Sequence, residues 1–279
     1  MVSAALSGLV RLRVTVTYAV ILVCVTTTLS VLGPTASDRV IRHASTNLHN
    51  LNHGHIGTLV GSAFVVDAGA PYVWMPGLVC LMGLAELLWR SGRLVVAFAA
   101  GHIGATLLVA LGLAAAVNLA WLPVSITRAQ DVGMSYGATA VLGTLTGAVP
   151  RRWRPTWIGW WLAVGVAVVW VGRDFTDVGH AVALALGMLV ATRFGRPGPW
   201  TLARVVLLVV GAAFGFMILA STGPSILVAT VCGAAGAVLG ALLGWWRSVR
   251  RPTGTGERSR RIDNSSSPHC PASGAPILK

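Results

Sequence analysis

One serine and one histidine could act together as a nucleophile and its base, although both lie in apolar segments. Ser135 follows the segment 131–134, and His180 comes three residues after Asp177. Ionisable side chains are costly inside a bilayer, so each one found there is a functional candidate by default. A hydroxyl within reach of an imidazole is the minimal arrangement for nucleophilic catalysis. A simpler interpretation is that the serine bonds the carbonyl one turn back and the histidine packs between helices.

Small residues around both positions predict that the two segments approach each other closely. Glycine and alanine let helix backbones come together in membranes. The serine segment carries Gly133, Gly137, Gly143 and Gly147, and the histidine segment carries Gly179, Ala183 and Gly187.

The composition of the chain indicates which elements hold this pair. Of the 279 residues, 55% are apolar and 10% are charged, and the mean hydropathy is +0.75. Soluble domains carry about 25% charged residues and disordered chains are poor in apolar ones, so the sequence favours neither class. The apolar blocks predict eight membrane-spanning helices, at about 14–33, 72–89, 94–117, 133–149, 156–172, 177–194, 202–221 and 224–246. The shorter block 55–66 predicts a half-buried or interfacial segment.

The distribution of arginine predicts the orientation of these spans. Arginines cluster before the first span, in every second connecting loop and after the last span. The positive-inside rule makes these clusters cytoplasmic, so both termini lie inside and the chain is a multi-pass protein of the cell membrane. Ser135 and His180 then lie at similar depth near the outer face. The basic segment 247–279 is predicted to be a disordered cytoplasmic tail.

The net charge of +13 follows the same pattern and does not indicate nucleic acid, because no nucleic-acid-binding motif accompanies it. Lys279 is the only lysine, which hints at a GC-rich, bacterial source. The four cysteines lack CxxC spacing, so the sequence predicts no disulfide, zinc site or cofactor. The histidines at 49, 53 and 55 leave a metal site open beside the interpretation of a polar outer loop.

Four segments, in the same order over about residues 60–190, resemble the rhomboid family of intramembrane serine proteases. Gly133-Met-Ser135 resembles the family's Gly-x-Ser-Gly, and His180 with Gly187 resembles His-x-x-Gly-x-x-x-Gly. The other two segments are Gly83-Leu-Ala-Glu86 followed by Ser91-Gly92-Arg93-Leu94, at the turn between the second and third helices, and Ser62-Ala63-Phe64. The resemblance implies an all-α polytopic membrane bundle, with a six-helix core at about 14–194 and two further helices at about 202–246.

The resemblance also implies a role for each residue of the site. Ser135 would be the nucleophile and His180 the general base of a dyad that cleaves transmembrane segments of single-pass proteins near the outer face. Backbone amides beside Gly133 and Ser135 would receive the oxyanion. Asp177 would orient His180, or it would be an ordinary acid in the first turn of its helix.

Two other ionisable residues of the predicted spans, Glu86 and His102, are expected to hold the structure together. Glu86 is expected to accept hydrogen bonds from the turn at 90–93, at the opposite membrane face from the serine. His102 is expected to make a hydrogen bond to another helix.

Two departures from the family pattern affect the predicted activity. The family's second helix carries His-x-x-x-Asn, which binds the oxyanion, whereas these positions fall near Ala70 and Trp74 here. Tyr136 also stands where the family has glycine. Losing one oxyanion donor typically costs about 10²–10³ in rate. Candidate replacement donors are Trp74, Tyr136, Asn50, His55 and Ser62.

Three functions are therefore compared. The first is a slow or ordinary rhomboid-like serine endopeptidase, and the second is a catalytically inactive rhomboid-like protein that binds transmembrane helices in the lipid bilayer. A small transporter is the third, and it is disfavoured because the chain shows neither an inverted repeat nor a pair of broken helices.

Overall fold

Helices and connecting loops make up the described part of the chain, residues 10–66 and 71–250 of a computed structural model, and this part contains no strand. Within these two ranges the α-helices are α1 (Arg13–Leu32), α2 (Pro34–Ala44), α3 (Leu48–Asn52), α4 (Thr58–Gly61), α5 (Pro71–Asn118), α6 (Ser135–Thr144), α7 (Arg154–Gly172), α8 (Phe175–Ala191), α9 (Leu202–Leu219) and α10 (Gly223–Val249). Three 3-10 helices cover Ser62–Phe64, Val124–Arg128 and Leu145–Gly147.

The long helices coincide with the predicted spans. In the described residues, α1, α5, α7, α9 and α10 are long and apolar enough to cross a membrane. Helix α5 has 48 residues and holds two predicted spans, because its backbone leaves the helical conformation at Arg90, where φ is 73° and ψ is 161°. Helices α6 and α8 are shorter, with 10 and 17 residues. The prediction of an all-α polytopic membrane bundle is confirmed.

Glu86 ties together one face of the bundle, which we call the arginine face and which includes the start of α1, the break in α5 and the loop at 192–201. Its carboxylate is 2% exposed. Oε1 accepts from the Val14 amide at 3.0 Å and the Ser91 hydroxyl at 2.6 Å, while Oε2 accepts from the Thr15 amide and hydroxyl at 2.9 and 2.7 Å. The first amides of a helix have no intrahelical acceptor, and α1 has no side-chain cap of its own. Glu86 therefore caps α1 from a distant segment, in addition to holding the predicted turn.

The segment 45–66 folds against the loop that precedes α6, at the opposite face. The Thr46 amide donates to the Asp131 carbonyl at 2.9 Å, and the Gly133 amide donates to the Ser62 carbonyl at 2.9 Å. The predicted interfacial block is thus joined to the chain immediately before Ser135.

Helix α1 holds the same segment from its other side. The Tyr18 hydroxyl donates to the Ala63 carbonyl at 2.6 Å. Ser62 and Ala63 are consequently buried between α1 and α5.

Helix α6 is the centre of the bundle, and its residues from Tyr136 to Thr144 are all buried. Side chains added to Gly143 or Gly187 would overlap the carbonyls of Leu184 and Ala140, so α6 and α8 pack backbone to backbone there. The predicted close approach of these two helices is present at this pair of glycines. Gly137, by contrast, faces Phe98 of α5.

Helices α9 and α10 lie beside this core. Gly211 of α9 packs on the backbone of Leu81, and Gly215 packs on the Leu142 side chain of α6. The Phe216 ring of α9 lies 6.3 Å from the Trp160 ring of α7. Helix α9 thus fills the space between the first half of α5 and α7, where it reaches α6.

Helix α10 covers α7 through small residues. Gly159 of α7 and Gly236 of α10 pack on each other's carbonyl groups. The compact unit ends at Gly244. The predicted tail 247–279 lies outside the described residues from position 251 onward.

Candidate active site

Ser135 is the first residue of α6 and is half-buried. Gly133 turns the chain into this helix with φ +119°, a conformation that favours glycine. The first intrahelical hydrogen bond runs from the Ala138 amide to the Met134 carbonyl at 2.9 Å. The amides of residues 135–137 therefore have no intrahelical acceptor. Within the described residues the Ser135 hydroxyl makes no hydrogen bond, so donors and a nucleophile share this helix end.

His180 lies on the side of α8 that packs against α6. Its side chain is 9% exposed, and neither ring nitrogen has a hydrogen-bond partner in the part of the chain that the structure describes. A neutral imidazole offers one donor and one acceptor. Leaving a buried polar group unpaired costs about 1–3 kcal/mol, so most such groups have a structural, catalytic or water-mediated explanation.

Tyr136 contacts the imidazole directly. The two rings meet edge to face, with centroids 5.1 Å apart and an interplanar angle of 81°. Gly179 makes room for the tyrosine ring, because a side chain there would overlap it. Ser135 lies about 100° around the helix axis from Tyr136. The structure therefore brings Ser135 and His180 onto packed helices without a hydrogen bond between them, and Tyr136 occupies the ring edge of the histidine.

Asp131 is a polar residue of this region that the sequence argument did not single out. Its amide donates to the Ser45 hydroxyl at 2.8 Å, and its carboxyl lies beside the Tyr136 hydroxyl. Burial, together with the negative charge of Asp174, raises the pKa of Asp131 to about 7, although the Tyr136 hydroxyl opposes this shift. In the sequence, only its position four residues before Ser135 could have indicated that it belongs to this site.

The predicted orienting and oxyanion residues have different surroundings. The Asp177 carboxylate lies against Gly172 in the preceding turn, and it is not bonded to His180. Trp74 is buried, and its Nε1 has no acceptor among the described residues. Ala70 lies outside the described residues.

The other proposed donors serve the outer loop. Asn50 Nδ2 donates to the carbonyls of Arg42 and Ser45. His55 is exposed. The Ser62 side chain contacts a second histidine, His102.

Ser62 and His102 form a serine–histidine pair that is hydrogen bonded, with 3.1 Å between Oγ and Nε2. Thr46 lies 3.0 Å from the Ser62 hydroxyl and donates to the Thr58 carbonyl at 2.8 Å. The Thr46 hydroxyl has one proton, which it shares between the Thr58 carbonyl and the Ser62 hydroxyl.

This pair has a structural explanation. Ser62 is 1% exposed and His102 is 5% exposed, so no substrate reaches the hydroxyl. The chain of hydrogen bonds joins the middle of α5 to the segment 46–62. It fulfils the expectation that His102 bonds another element.

The loop histidines do not form a complete metal site. The rings of His49 and His53 are 4.3 Å apart, and His53 Nδ1 contacts the His49 carbonyl at 2.7 Å. Across residues 10–66 and 71–250, no group of three metal-ligating side chains is arranged to hold an ion.

Comparison with known proteins gives one match. A family model described as rhomboid-like protein matches residues 10–195, which include α1 to α8 and both Ser135 and His180. No curated protein and no solved structure matches the chain.

Proposed function

Because the chain belongs to the rhomboid-like family, we propose that this multi-pass membrane protein is an intramembrane serine endopeptidase with Ser135 as nucleophile and His180 as general base. Its substrates are transmembrane segments of single-pass proteins, cut near the outer membrane face. The proposed orientation places both termini in the cytoplasm, in agreement with the arginine distribution.

The observation that carries this proposal is the group of unpaired polar atoms at the start of α6. Both nitrogens of His180 are buried without a partner in the described residues. The half-buried Ser135 hydroxyl and the amides of residues 135–137 also make no hydrogen bond there. A fold usually pairs its buried polar groups, and unpaired ones mark places where a ligand, water or reaction satisfies them. Here the unpaired set contains a nucleophile, a base and donors for an oxyanion.

In the proposed reaction, His180 turns from the Tyr136 ring toward the serine and accepts its proton. Ser135 Oγ attacks the scissile carbonyl, and the free amides at the helix start stabilise the negative oxygen. The imidazolium then gives its proton to the leaving amine. Water, activated by the same histidine, hydrolyses the acyl-enzyme and restores the hydroxyl.

Labelling of the full-length protein with a fluorophosphonate tests this proposal. We expect the probe to label the wild type, and we expect Ser135→Ala and His180→Ala to abolish the labelling. Ser62→Ala is the matched control, because Ser62 also lies next to a histidine but is inaccessible. Labelling that survives in Ser135→Ala and disappears in Ser62→Ala would show that Ser135 is not the nucleophile.

A second function, binding of transmembrane helices without proteolysis, is favoured by one observation. Tyr136 and not Ser135 packs on the His180 ring, which leaves the dyad unformed in this arrangement. If this function is correct, the wild type resists the fluorophosphonate, and Ser135→Ala leaves photocrosslinking to a single-pass membrane protein unchanged.

A further inference from the structure

The arginine face contains an open pocket that the proposed protease chemistry does not use. Its volume is about 890 Å³, and five arginines line it together with one acid, Glu86. These arginines are Arg11, Arg13, Arg90, Arg93 and Arg204. They come from three separate parts of the chain, namely the start of α1, the break in α5 and the start of α9.

The positive charge of this pocket is not balanced by its acid. Both oxygens of Glu86 are occupied by the start of α1 and by Ser91. Arg13 Nε donates to the Ser91 hydroxyl at 3.1 Å, and Arg204 Nη2 donates to the Leu87 carbonyl at 3.1 Å. These acceptors are neutral, so the arginines keep most of their capacity to bind an anion.

An apolar groove begins where the pocket ends. Its volume is about 490 Å³, and it runs between α1 and the second half of α5, under the segment 59–64. Arg13 lines both the groove and the pocket, so the two spaces adjoin at this residue. From Arg13 to Ile21 the groove follows α1 for about 12 Å, at 1.5 Å per residue. The walls beyond Arg13 are mostly aliphatic and aromatic, with Tyr18 and Phe98 among them.

We infer that the pocket and groove together form a binding site for one anionic phospholipid. The phosphate group would lie among the arginines, whose planar guanidinium groups bind phosphate oxygens in pairs. One acyl chain would lie in the groove beside α1. Basic pockets between helices at the cytoplasmic face are typical sites for anionic lipids, and the arginine face is the one predicted to be cytoplasmic.

The apolar groove decides between a lipid and a soluble anion. A nucleotide or free phosphate would use the arginines and leave the groove empty, whereas a phospholipid uses both. The charged side chains of an acidic peptide likewise gain nothing from an apolar groove. The inference does not depend on whether Ser135 is a nucleophile.

Lipid titration of the purified full-length protein in neutral detergent tests the site. Tryptophan fluorescence follows thermal unfolding as phosphatidylglycerol, or phosphatidylcholine with the same acyl chains, is added. A ligand that binds only the folded protein raises the unfolding temperature, by an amount that grows with the logarithm of its concentration divided by its Kd. We expect phosphatidylglycerol to stabilise the protein and phosphatidylcholine to do so at least about tenfold more weakly.

Two pairs of variants separate a defined site from general attraction to positive charge. Arg11→Gln/Arg90→Gln should weaken phosphatidylglycerol binding about 25-fold, at about fivefold for each arginine. Arg151→Gln/Arg152→Gln removes the same charge from another loop of the arginine face, outside the pocket, and should change the affinity less than about threefold. Equal effects of both pairs would overturn the inference.

The acyl-chain part has its own control. Ala99→Trp fills the groove and should weaken lipid binding several-fold, while Val166→Trp, on an exposed position of α7, should not. Inorganic phosphate alone should not reproduce the stabilisation. If phosphate does so, and Ala99→Trp has no effect, the pocket binds soluble anions and the lipid assignment is wrong.

Discussion

Glu86 and His180 are both buried ionisable side chains, one at each face of the bundle, but their surroundings are opposite. Four hydrogen bonds fix the carboxylate of Glu86 to the start of α1 and to Ser91. The imidazole of His180 has no partner among the described residues and contacts an aromatic ring. A fully paired buried group holds the structure together, whereas an unpaired one costs stability unless water, a ligand or a reacting group satisfies it.

The largest expected effect is at the paired group. Glu86→Ala removes the cap of α1 and leaves the amides of Val14 and Thr15 without acceptors, so we expect a loss of about 3 kcal/mol or more in the free energy of unfolding. Thermal and chemical unfolding in detergent, followed by tryptophan fluorescence, measures it. Glu86→Gln keeps the volume and one acceptor, and its loss should be smaller. A Glu86→Ala protein as stable as the wild type would show that the hydrogen bonds of Glu86 do not stabilise the fold.

The next effect concerns the two side-chain donors proposed for the oxyanion, the Trp74 indole and the Tyr136 hydroxyl. If the Trp74 indole or the Tyr136 hydroxyl binds the oxyanion, Trp74→Phe or Tyr136→Phe should lower kcat by about 10²–10³ with little change in KM. Cleavage of a single-pass substrate in liposomes provides the measurement. Full activity in both variants would leave the backbone amides of residues 135–137 as the whole oxyanion site.

A smaller effect of opposite sign is expected at the histidine. His180→Leu replaces an unpaired imidazole by an apolar group of similar size. The free energy of unfolding should therefore stay the same or rise by up to about 1 kcal/mol, and the unfolding temperature should follow it. Fluorophosphonate labelling should be lost in the same protein. A destabilisation as large as that of Glu86→Ala would show that His180 is a structural residue, and the contrast between the two faces would fail.

The smallest effect is the pH dependence of Asp131. Its pKa is raised from the ordinary 3.8 to about 7, so the folded protein favours the protonated carboxyl. Stability should therefore be greatest below about pH 4, fall as the pH rises to about 7, and then level off. Asp131→Asn should remove this decline, which unfolding temperatures between pH 4 and pH 8 measure. A decline that persists in the variant would assign the effect to another group.

The sequence predicted the spans because long apolar blocks and arginine clusters are local signals. It also predicted the turn between the two halves of α5, since the apolar pattern stops at 89 and resumes at 94. The contact of Glu86 with α1 was not predictable, because it joins residues 71 positions apart. Nor was the pairing of Tyr136 with His180, which depends on the rotation of α6 about its axis. Residue types near the site were visible in the sequence, but the choice of neighbours belongs to tertiary packing.

The position of α9 has a consequence for any membrane segment that approaches α6 between the first half of α5 and α7. That place is already taken by a helix of the same chain, which contacts Leu81, Leu142 and Trp160. A tethered occupant competes at an effective concentration in the millimolar range, without diffusing away. An incoming segment that used this route would bind with its intrinsic affinity multiplied by the fraction of time that α9 is displaced. Helix α9 would thus act as an intramolecular competitor, and would favour segments that bind α6 strongly enough to displace it.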